Sequence, residues 1–261
     1  MSETQPSTQP KILVLDIETL PNQGFTWGKW DQNVIRFTQE SCIATFVCKW
    51  LGNPKIISKA LPDYPGYTAG SYDDKALVQD LWNLFDEADI LVAHNGDSFD
   101  IKVATGRFIL HGMKPPSPFK TIDTKKMVKE VARYNSNSLD DLCGLLDLGH
   151  KIHTDFDLWA GCIKGDMKCW NQMVKYNRMD VLLLEKLYYR LAPFAKIHPN
   201  LTFWTGGKCP KCGSDNVQYR GIARCITRVY RRFQCNKCGS WGRVMKSEKG
   251  VSVTTTNVPI C

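Results

Sequence analysis

The residues in this sequence that could do chemistry begin with two carboxylates in one apolar stretch. Asp16 and Glu18 lie two positions apart in KILVLDIET, residues 11–19, whose β-branched and apolar residues predict a buried strand. Side chains alternate along a strand, so both carboxylates share one face. Burying such a pair is costly unless something neutralises it. The pair is therefore either part of a site or an end-of-strand pair that faces water.

A second candidate group follows another short apolar strand, ILVAH at residues 90–94. Here the chain enters a polar turn and a helix start, and the group consists of Asn95 and Asp100. Loops that leave strand ends are common places for binding sites. The helix dipole also favours a carboxylate in the first turn, which alone would account for Asp100.

The third candidate group lies in the amphipathic stretch MVKYNRMDVLLLEKLYYRL. Tyr176 and Asp180 are four residues apart, so they share one face of the predicted helix. That face continues through three leucines and points inward: Leu183, Leu184 and Leu187. A buried aspartate requires either a hydrogen-bond partner in the core or a metal ion.

Taken in order, the Asp-x-Glu strand, the Asn-x4-Asp turn and the helical Tyr-x3-Asp resemble the DEDD superfamily of 3′–5′ exonucleases, in its tyrosine-bearing branch (DEDDy). The segments SLDDLCGLLDL and YNRMDVLLLEKLYYRL are most similar to the exonuclease domains of family B DNA polymerases and their stand-alone relatives. The resemblance covers residues 11–195. It implies a ribonuclease H-like α/β fold, with a mixed sheet of about five strands and helices on both faces.

The resemblance also implies a centre with two catalytic metal ions. Four converging carboxylates repel one another, and two Mg²⁺ or Mn²⁺ ions would neutralise them; all-oxygen ligands suit these ions. Two such ions hold the attacking and leaving oxygens of a phosphodiester. By resemblance, Asp16 bridges both ions, Glu18 and Asp180 complete the first ion's ligands, and Asp100 supports the second.

Three further residues receive roles from the same resemblance. Tyr176 would orient the attacking water, since an unperturbed phenol with a pKa of about 10 is a poor base. Asn95 would contact the terminal nucleotide or hold its loop. Phe99 either fills the core or stacks on a base.

The C-terminal part contains two C-x2-C pairs, Cys209 with Cys212 and Cys235 with Cys238, separated by 22 residues. Four thiolates form a closed tetrahedral site of the kind that holds a structural Zn²⁺, and the pattern resembles a small β-rich zinc ribbon. A redox pair is the alternative, but the thioredoxin context is missing. Because so small a domain buries little core, the metal is expected to supply its folding energy.

The same part of the chain is strongly basic. Residues 201–261 contain 11 Lys and Arg against 2 Asp and Glu, a net charge of +9, whereas residues 1–200 carry −1. This asymmetry indicates nucleic acid as a partner, or a basic surface kept for solubility. Cations bind phosphates and aromatic rings stack on bases. The candidate substrate-binding arginines are Arg220, Arg224, Arg228, Arg231 and Arg232, interleaved with Tyr219, Tyr230, Phe233 and Trp241, some of which are expected to pack the small core.

The elements that must position these residues are strands first, then alternating strands and helices, which indicates a layered α/β domain. Further strands are predicted at SCIATFVCKWLG and PKIISKAL, and helices over KALVQDLWNLFDEA, after Asp97 and around 122–133, 138–147 and 166–191. The predicted organisation is a flexible tail at 1–10, an exonuclease domain at 11–195, a linker at 196–207 and a zinc ribbon at 208–261.

Composition limits the class of protein. A chain that is 43% hydrophobic and 23% charged is neither disordered nor fibrous, and the sequence contains no apolar run of about 18 residues that would span a membrane. The polar N-terminus lacks the pattern of a secretory signal. Eleven cysteines without such a signal indicate reduced or metal-bound thiols, and hence a cytoplasmic or nucleoid-associated protein.

The sequence therefore predicts a metal-dependent 3′–5′ exonuclease that releases nucleoside 5′-monophosphates, mainly from single-stranded DNA. One alternative is an exoribonuclease on the same scaffold. Another is a nucleic-acid-binding adaptor with an inactive nuclease body, which four mutually repelling acids argue against. The prediction fails if Asp180 lies far from Asp16, or if a lysine or arginine fills the pocket between them.

Overall fold

A computed structural model describes residues 9–225 and 228–244. Most of the predicted tail, residues 1–8, and the end of the chain from residue 245 lie outside the described residues. The described chain divides into two compact units, one spanning Lys11–Tyr189 and the other beginning at Arg190. In the described part, no helix is both long and apolar enough to cross a membrane.

A five-stranded mixed sheet forms the centre of the first unit. In chain order the strands of this unit are β1 (Ile12–Leu20), β2 (Gln23–Phe25), β3 (Arg36–Gln39), β4 (Cys42–Trp50), β5 (Ile56–Ala60), β6 (Ile90–Ala93) and β7 (Lys120–Asp123). The sheet order is β5-β4-β1-β6-β7, while β2 and β3 form a separate hairpin. Strand β1 pairs antiparallel with β4 and parallel with β6. The predicted mixed sheet is confirmed, with β1 at its middle.

One short 3₁₀ turn, Leu61–Asp63, and two α-helices lie between strands of this unit, and four more α-helices follow β7. The helices are α1 (Lys75–Glu87), α2 (Asp100–Leu110), α3 (Thr124–Val131), α4 (Leu139–Leu145), α5 (Phe156–Ile163) and α6 (Met167–Leu191). The predicted helices correspond to α1, α2, α3, α4 and α6. Helix α5, Phe156–Ile163, was not predicted.

The alternation of β1 separates a core face from a site face. Leu13, Leu15 and Ile17 are buried in the main hydrophobic cluster together with side chains of α1 and α2. Asp16 and Glu18 lie on the opposite face, where α6 packs: the side-chain amide of Asn177 donates to Asp16 Oδ2 at 2.8 Å. Helices therefore cover both faces, as the resemblance implied.

A buried ionic network fixes the helix that carries Asp100. The side chain of Asp74, just before α1, accepts two hydrogen bonds from Arg107 of α2, at 2.6 and 2.7 Å. It also contacts His111 Nε2 at 2.6 Å and accepts the backbone N–H of Ile43 at 2.9 Å. Because one carboxylate joins β4, α1 and the end of α2, the opposite end of α2 is held against β1.

The second unit contains a small antiparallel sheet. A short helix α7 (Thr202–Thr205) precedes strands β8 (Val217–Arg224), β9 (Val229–Cys235) and β10 (Trp241–Arg243), ordered β10-β9-β8. The predicted small β-rich module is confirmed. Helix α7 lies inside the predicted linker, and Leu201 N–H donates to Pro210 O at 2.9 Å. This segment is therefore folded onto the start of the module.

Candidate functional site

Three of the predicted acidic residues converge at the end of β1. One carboxylate oxygen each from Asp16, Glu18 and Asp180 lies within 4.8 Å of the other two. Asp180 is 1% exposed, whereas Asp16 and Glu18 are half-buried. The pairing of β1 with β4 shifts register between Glu18 and Thr19, directly after the two carboxylates, and then continues to Leu20. The structure thus brings together residues that are more than 160 positions apart.

Asp100 lies beside this acidic cluster. It is the first residue of α2, is 2% exposed, and its Oδ1 accepts the backbone N–H of Ile17 at 3.1 Å. The N–H that Asp100 accepts belongs to the residue after Asp16, and the charge of Asp100 is one cause of the raised pKa of Asp16. Asp100 is not one of the three residues whose oxygens lie mutually within 4.8 Å.

The turn before α2 is held by a residue that the sequence analysis did not include. Asp123, at the end of β7, accepts the backbone N–H groups of Asn95 at 3.0 Å and Asp97 at 3.4 Å. It also caps α3. Asn95 adopts a left-handed backbone with φ of 68°. The side chain of Phe99 is 40% exposed, so Phe99 does not fill the core.

Tyr176 lies beside the acidic cluster, and a lysine lies with it. Lys151 Nζ is 2.6 Å from Asp180 Oδ2 and donates to Tyr176 Oη at 3.0 Å. The indole of Trp159 meets the tyrosine ring edge-on, with centroids 6.4 Å apart. Lys151 was missed because it lies in a loop without periodicity, and only folding brings that loop to α6.

Lys151 bears directly on the condition set for the prediction, since a lysine that filled the pocket would contradict it. The ammonium contacts one oxygen of one carboxylate and offsets a single negative charge of four. The other oxygen of Asp180, Oδ1, is buried without a hydrogen-bond partner among the described residues. Three carboxylates therefore remain uncompensated, and the pocket is only partly neutralised.

The electrostatics of the cluster reflect this repulsion. Burial, followed by the charges of Asp100, Glu18 and Asp180, raises the pKa of Asp16 well above its ordinary value. Burial and the charge of Asp180 raise the pKa of Glu18 to about 7. Burial raises the pKa of Asp100 to about 6, against the opposing hydrogen bond from Ile17. A carboxyl group that is hard to ionise in the folded protein is one that a cation would stabilise.

The donor set fits divalent cations. The ligand atoms are carboxylate oxygens, the type preferred by Mg²⁺ and Mn²⁺. The unpaired Oδ1 of Asp180 is a buried acceptor that requires a partner. Asp16, Glu18 and Asp180 are the residues able to hold such an ion, with Asp100 available beside Asp16.

The histidines near this region have other roles. His94 contacts Thr124 Oγ1 and the carbonyl of Asn137, both at 2.9 Å, and burial lowers its pKa. The side chain of His153 is 86% exposed. His94 is thus a structural residue, and His153 is a surface residue.

A cavity of about 460 Å³ adjoins the acidic cluster. One side of it is formed by the end of β1 and the residues after it, and the other by the start of α5 with its preceding residues. The lining residues are Glu18, Thr19, Pro21, Thr154, Asp155, Phe156 and Trp159. The indole N–H of Trp159 donates to Thr19 O at 3.1 Å, which fixes that ring as a wall of the cavity.

The four predicted zinc ligands also converge. The sulfur atoms of Cys209, Cys212, Cys235 and Cys238 lie within 4.8 Å of one another. In each C-x2-C turn the glycine that follows the second cysteine donates its N–H to the carbonyl of the first, at 2.8 and 2.9 Å, and has a positive φ. Burial opposes ionisation of Cys209, yet hydrogen bonds from Ser240 and backbone N–H groups lower its pKa to about 7. The four-cysteine cluster is consistent with structural zinc.

The predicted substrate-binding arginines lie on both faces of the ribbon sheet. Arg231 lies over the ring of Tyr219 at 4.3 Å, on the face that also carries the buried Phe233. Its neighbour Arg232 lies over Trp241 at 5.0 Å on the opposite face. Arg243, absent from the sequence-based set, lies over Tyr230 at 4.6 Å. The remaining members of that set, all exposed, are Arg220, Arg224 and Arg228.

A sequence model of the RNase_H superfamily matches residues 61–192, about half of the chain. The chain belongs to the RNase_H superfamily. Membership in this superfamily implies a nucleic-acid substrate and the potential for nuclease activity. The match includes the segments that carry Asp100, Tyr176 and Asp180, and it begins after Asp16 and Glu18.

One solved structure that is similar in fold to this chain is that of the family B DNA polymerase from the hyperthermophilic archaeon Pyrobaculum calidifontis. It superposes with a TM-score of 0.53 and 14% sequence identity. The superposition covers 78% of this chain and 26% of the polymerase chain. Identity this low shows a shared fold only, and the chain spans about a quarter of the polymerase. No curated protein matches the chain.

Proposed function

We propose that this RNase_H-superfamily chain is a metal-dependent 3′–5′ exonuclease that acts mainly on single-stranded DNA and releases nucleoside 5′-monophosphates. The observation that carries the proposal is the convergence of Asp16, Glu18 and Asp180 within 4.8 Å, with Asp100 beside Asp16 and one lysine to offset four acids. The shared fold with a DNA polymerase supports DNA as the substrate.

Each acidic residue has a role in holding two divalent cations. Asp16, Glu18 and Asp180 would hold the cations through their converging oxygens, and Asp100 would add a carboxylate beside Asp16. The bound cations supply the positive charge that activates water and stabilises the leaving 3′-oxygen. Asn177 donates to Asp16 Oδ2 and so holds the carboxylate of Asp16 in place.

Tyr176 and Lys151 act together on the attacking water. Burial raises the pKa of Tyr176 to about 12, so its hydroxyl stays protonated at neutral pH. Because Lys151 Nζ donates to the phenol oxygen, the phenol O–H is directed away from the lysine, toward the side where the Asp180 carboxylate accepts it and where a water held by that carboxylate would lie. Tyr176 therefore orients the nucleophile, and Lys151 positions Tyr176.

The cavity beside Glu18 is the proposed place of the terminal nucleotide. Its volume of about 460 Å³ falls in the range that holds one small ligand. Asn95 and Phe99 are proposed to contact the same nucleotide, because their turn leads directly into Asp100. Trp159, fixed by its hydrogen bond to Thr19 O, forms one wall against which the nucleotide is proposed to lie.

The ribbon is proposed to bind the polynucleotide through its arginines. Three guanidinium groups already stack on aromatic rings, so these arginine side chains are extended and lose little conformational entropy when they bind a phosphate. The aromatic faces remain beside them. The proposed phosphate contacts are Arg220, Arg224, Arg228, Arg231 and Arg232, joined by Arg243. Removing one phosphate contact should reduce the slope of the logarithm of the binding constant against the logarithm of the salt concentration by about one.

One observation favours the adaptor with an inactive body as a second candidate. The contact of Lys151 with Asp180 gives the cluster a built-in positive charge, so that the folded protein can exist without a cation. Under this alternative the chain binds nucleic acid through the ribbon and hydrolyses nothing.

The deciding experiment is digestion of 3′- and 5′-labelled oligonucleotides as single-stranded DNA, duplex DNA and RNA, with Mg²⁺ or Mn²⁺. We expect release of mononucleotides from the 3′ end of single-stranded DNA, at least about 10³-fold slower in Asp16→Asn. The matched control is Asp157→Asn, an exposed residue of α5. Point variants are preferable to chelators, which would also strip metal from the four-cysteine cluster. Binding without digestion under either ion would support the adaptor.

A further inference from the structure

A hairpin outside the central sheet presents unusually large aromatic side chains to solvent. Strands β2 and β3 pair with each other and not with the five-stranded sheet. We call residues 21–41 the aromatic arm. Four of its rings are exposed: Trp27 (89%), Trp30 (75%), Phe25 (63%) and Phe37 (48%). Four large exposed rings within one short hairpin are the kind of apolar surface that marks an interaction site.

The root of the arm is firmly anchored. Gln23 Nε2 donates to Tyr72 Oη at 2.9 Å, and the same hydroxyl donates to Pro21 O at 2.9 Å. Ser41 closes the other strand, with its N–H on Asn22 Oδ1 at 2.6 Å and its hydroxyl on Leu20 O at 2.7 Å. Because Tyr72 is buried, the arm has a fixed starting direction.

The position of this root connects the arm to the acidic cluster. Pro21 lies three residues after Glu18, and both line the same cavity. Strand β2 ends at Phe25 and Trp27 lies in the bend after it, so at strand spacing these residues lie at most about 13 Å and about 20 Å from Pro21. A stacked nucleic-acid strand advances about 3.4 Å per nucleotide. A strand that ends in the cavity would thus reach the arm about four to six nucleotides from its end.

Cations accompany the rings of the arm. Lys29 Nζ lies 5.0 Å from the centre of the Trp30 ring. Arg36 is the cross-strand partner of Phe25, so these two side chains share one face of the hairpin. In a nucleic-acid strand a base can stack on the aromatic face while its phosphate binds the cation beside that face. An apolar protein surface would require no such cations.

We propose that the aromatic arm stacks on unpaired bases about four to six nucleotides upstream of the 3′ end held beside Glu18. This inference rests on the proposed nuclease function and extends it to how the strand is held. Stacking tolerates every base, so the arm would bind without sequence preference. It would favour single strands, since paired bases do not expose their faces.

The test compares the Trp27→Ala/Trp30→Ala variant with wild type in the full zinc-loaded chain. Binding of a labelled 15-nucleotide DNA is followed by fluorescence anisotropy, with both proteins in an Asp16→Asn background so that the strand survives. Hydrolysis of 15- and 3-nucleotide DNAs is measured in the active background. Ile109→Ala, at a side chain of α2 that is 73% exposed, is the matched control.

We expect at least about a tenfold loss of affinity for the 15-mer, because each lost ring removes one stacking contact. The kcat/KM for the 15-mer should fall with it, and that for the 3-mer should change less than twofold, since a 3-mer ends before the arm. Trp27→Tyr/Trp30→Tyr should restore most of the affinity, and Ile109→Ala should lose none.

Equal 15-mer affinity in wild type and the double alanine variant would overturn the inference. So would equal affinity together with a dimer that the variant converts to a monomer in sedimentation, because the arm would then join two copies of the chain. If wild type hydrolyses neither DNA while the variant loses 15-mer affinity, the proposed nuclease function fails and the stacking role of the arm stands.

Discussion

Replacing Glu18 by glutamine should stabilise the protein in the absence of Mg²⁺ and destabilise it in its presence. Glu18 is held close to Asp16 and Asp180, and its pKa rises from 4.5 to about 7. The folded state therefore binds a proton more readily than the unfolded state. The cost in stability of ionising Glu18 in the folded protein is absent below pH 4.5, grows as the pH rises, and is complete above about pH 7.

The size of the effect follows from that difference in pKa, which corresponds to about 3 kcal/mol as an upper limit. Because Glu18 is half-buried, water screens part of the repulsion, and we expect a difference in unfolding free energy of about 1–3 kcal/mol. Without Mg²⁺ at pH 8, Glu18→Gln should unfold with a free energy higher than wild type by this amount. At pH 4 the two proteins should be equally stable.

Urea unfolding monitored by circular dichroism, with stoichiometric zinc in every buffer, measures this difference. Saturating Mg²⁺ at pH 8 should reverse the order, because wild type gains a bound ion that the variant holds weakly. Glu40→Gln, at an exposed residue between β3 and β4, is the control. Equal stability of wild type and Glu18→Gln at pH 8 without Mg²⁺ would refute the view that the carboxylates repel one another.

Three further changes test separate parts of the molecule. Lys151→Met should lower kcat at least about tenfold while the Mg²⁺ concentration for half-maximal activity falls, because Tyr176 loses its positioning contact and Asp180 loses a competing cation; an unchanged kcat in steady-state assays would contradict this. Asp74→Ala should reduce the free energy of unfolding in urea by about 3–5 kcal/mol, since it leaves Arg107 buried without its partner; a loss below about 1 kcal/mol would show that the network is unimportant. Cys212→Ser should abolish stoichiometric zinc measured by atomic absorption, whereas Cys225→Ser should retain it; full zinc in Cys212→Ser would exclude a four-cysteine site.

The residues that sequence reasoning identified are those whose relation is local. Asp16 and Glu18 share a face because every strand alternates, and Tyr176 and Asp180 share one because every helix has the same period. These rules hold before any tertiary contact forms. The four cysteines were identified for the same reason, since each C-x2-C turn is a local structure.

The residues that were missed depend on contacts between distant segments. Lys151 reaches Tyr176 and Asp180 from a loop, and Asp123 reaches Asn95 across 28 positions. No periodicity indicates such contacts. The aromatic arm was missed because three- and four-residue strands separated by a long turn do not produce a clear alternating pattern. The two faces of the ribbon, with Arg231 and Arg232 on opposite sides, required the strand register.

Helix α6 has a further consequence for how the acidic centre can change. Its 25 residues form a rod about 37 Å long that carries Tyr176, Asn177 and Asp180 on one body. One turn beyond Asp180, Glu185 is 2.5 Å from Lys49 of β4, which pins the rod to the sheet. The spacing of Asp180 from Asp16 and Glu18 is thus governed by the placement of one rod against one strand, while Asp100 comes from α2. A designer who transplants this centre needs to reproduce that separation and rotation together with the start of α2.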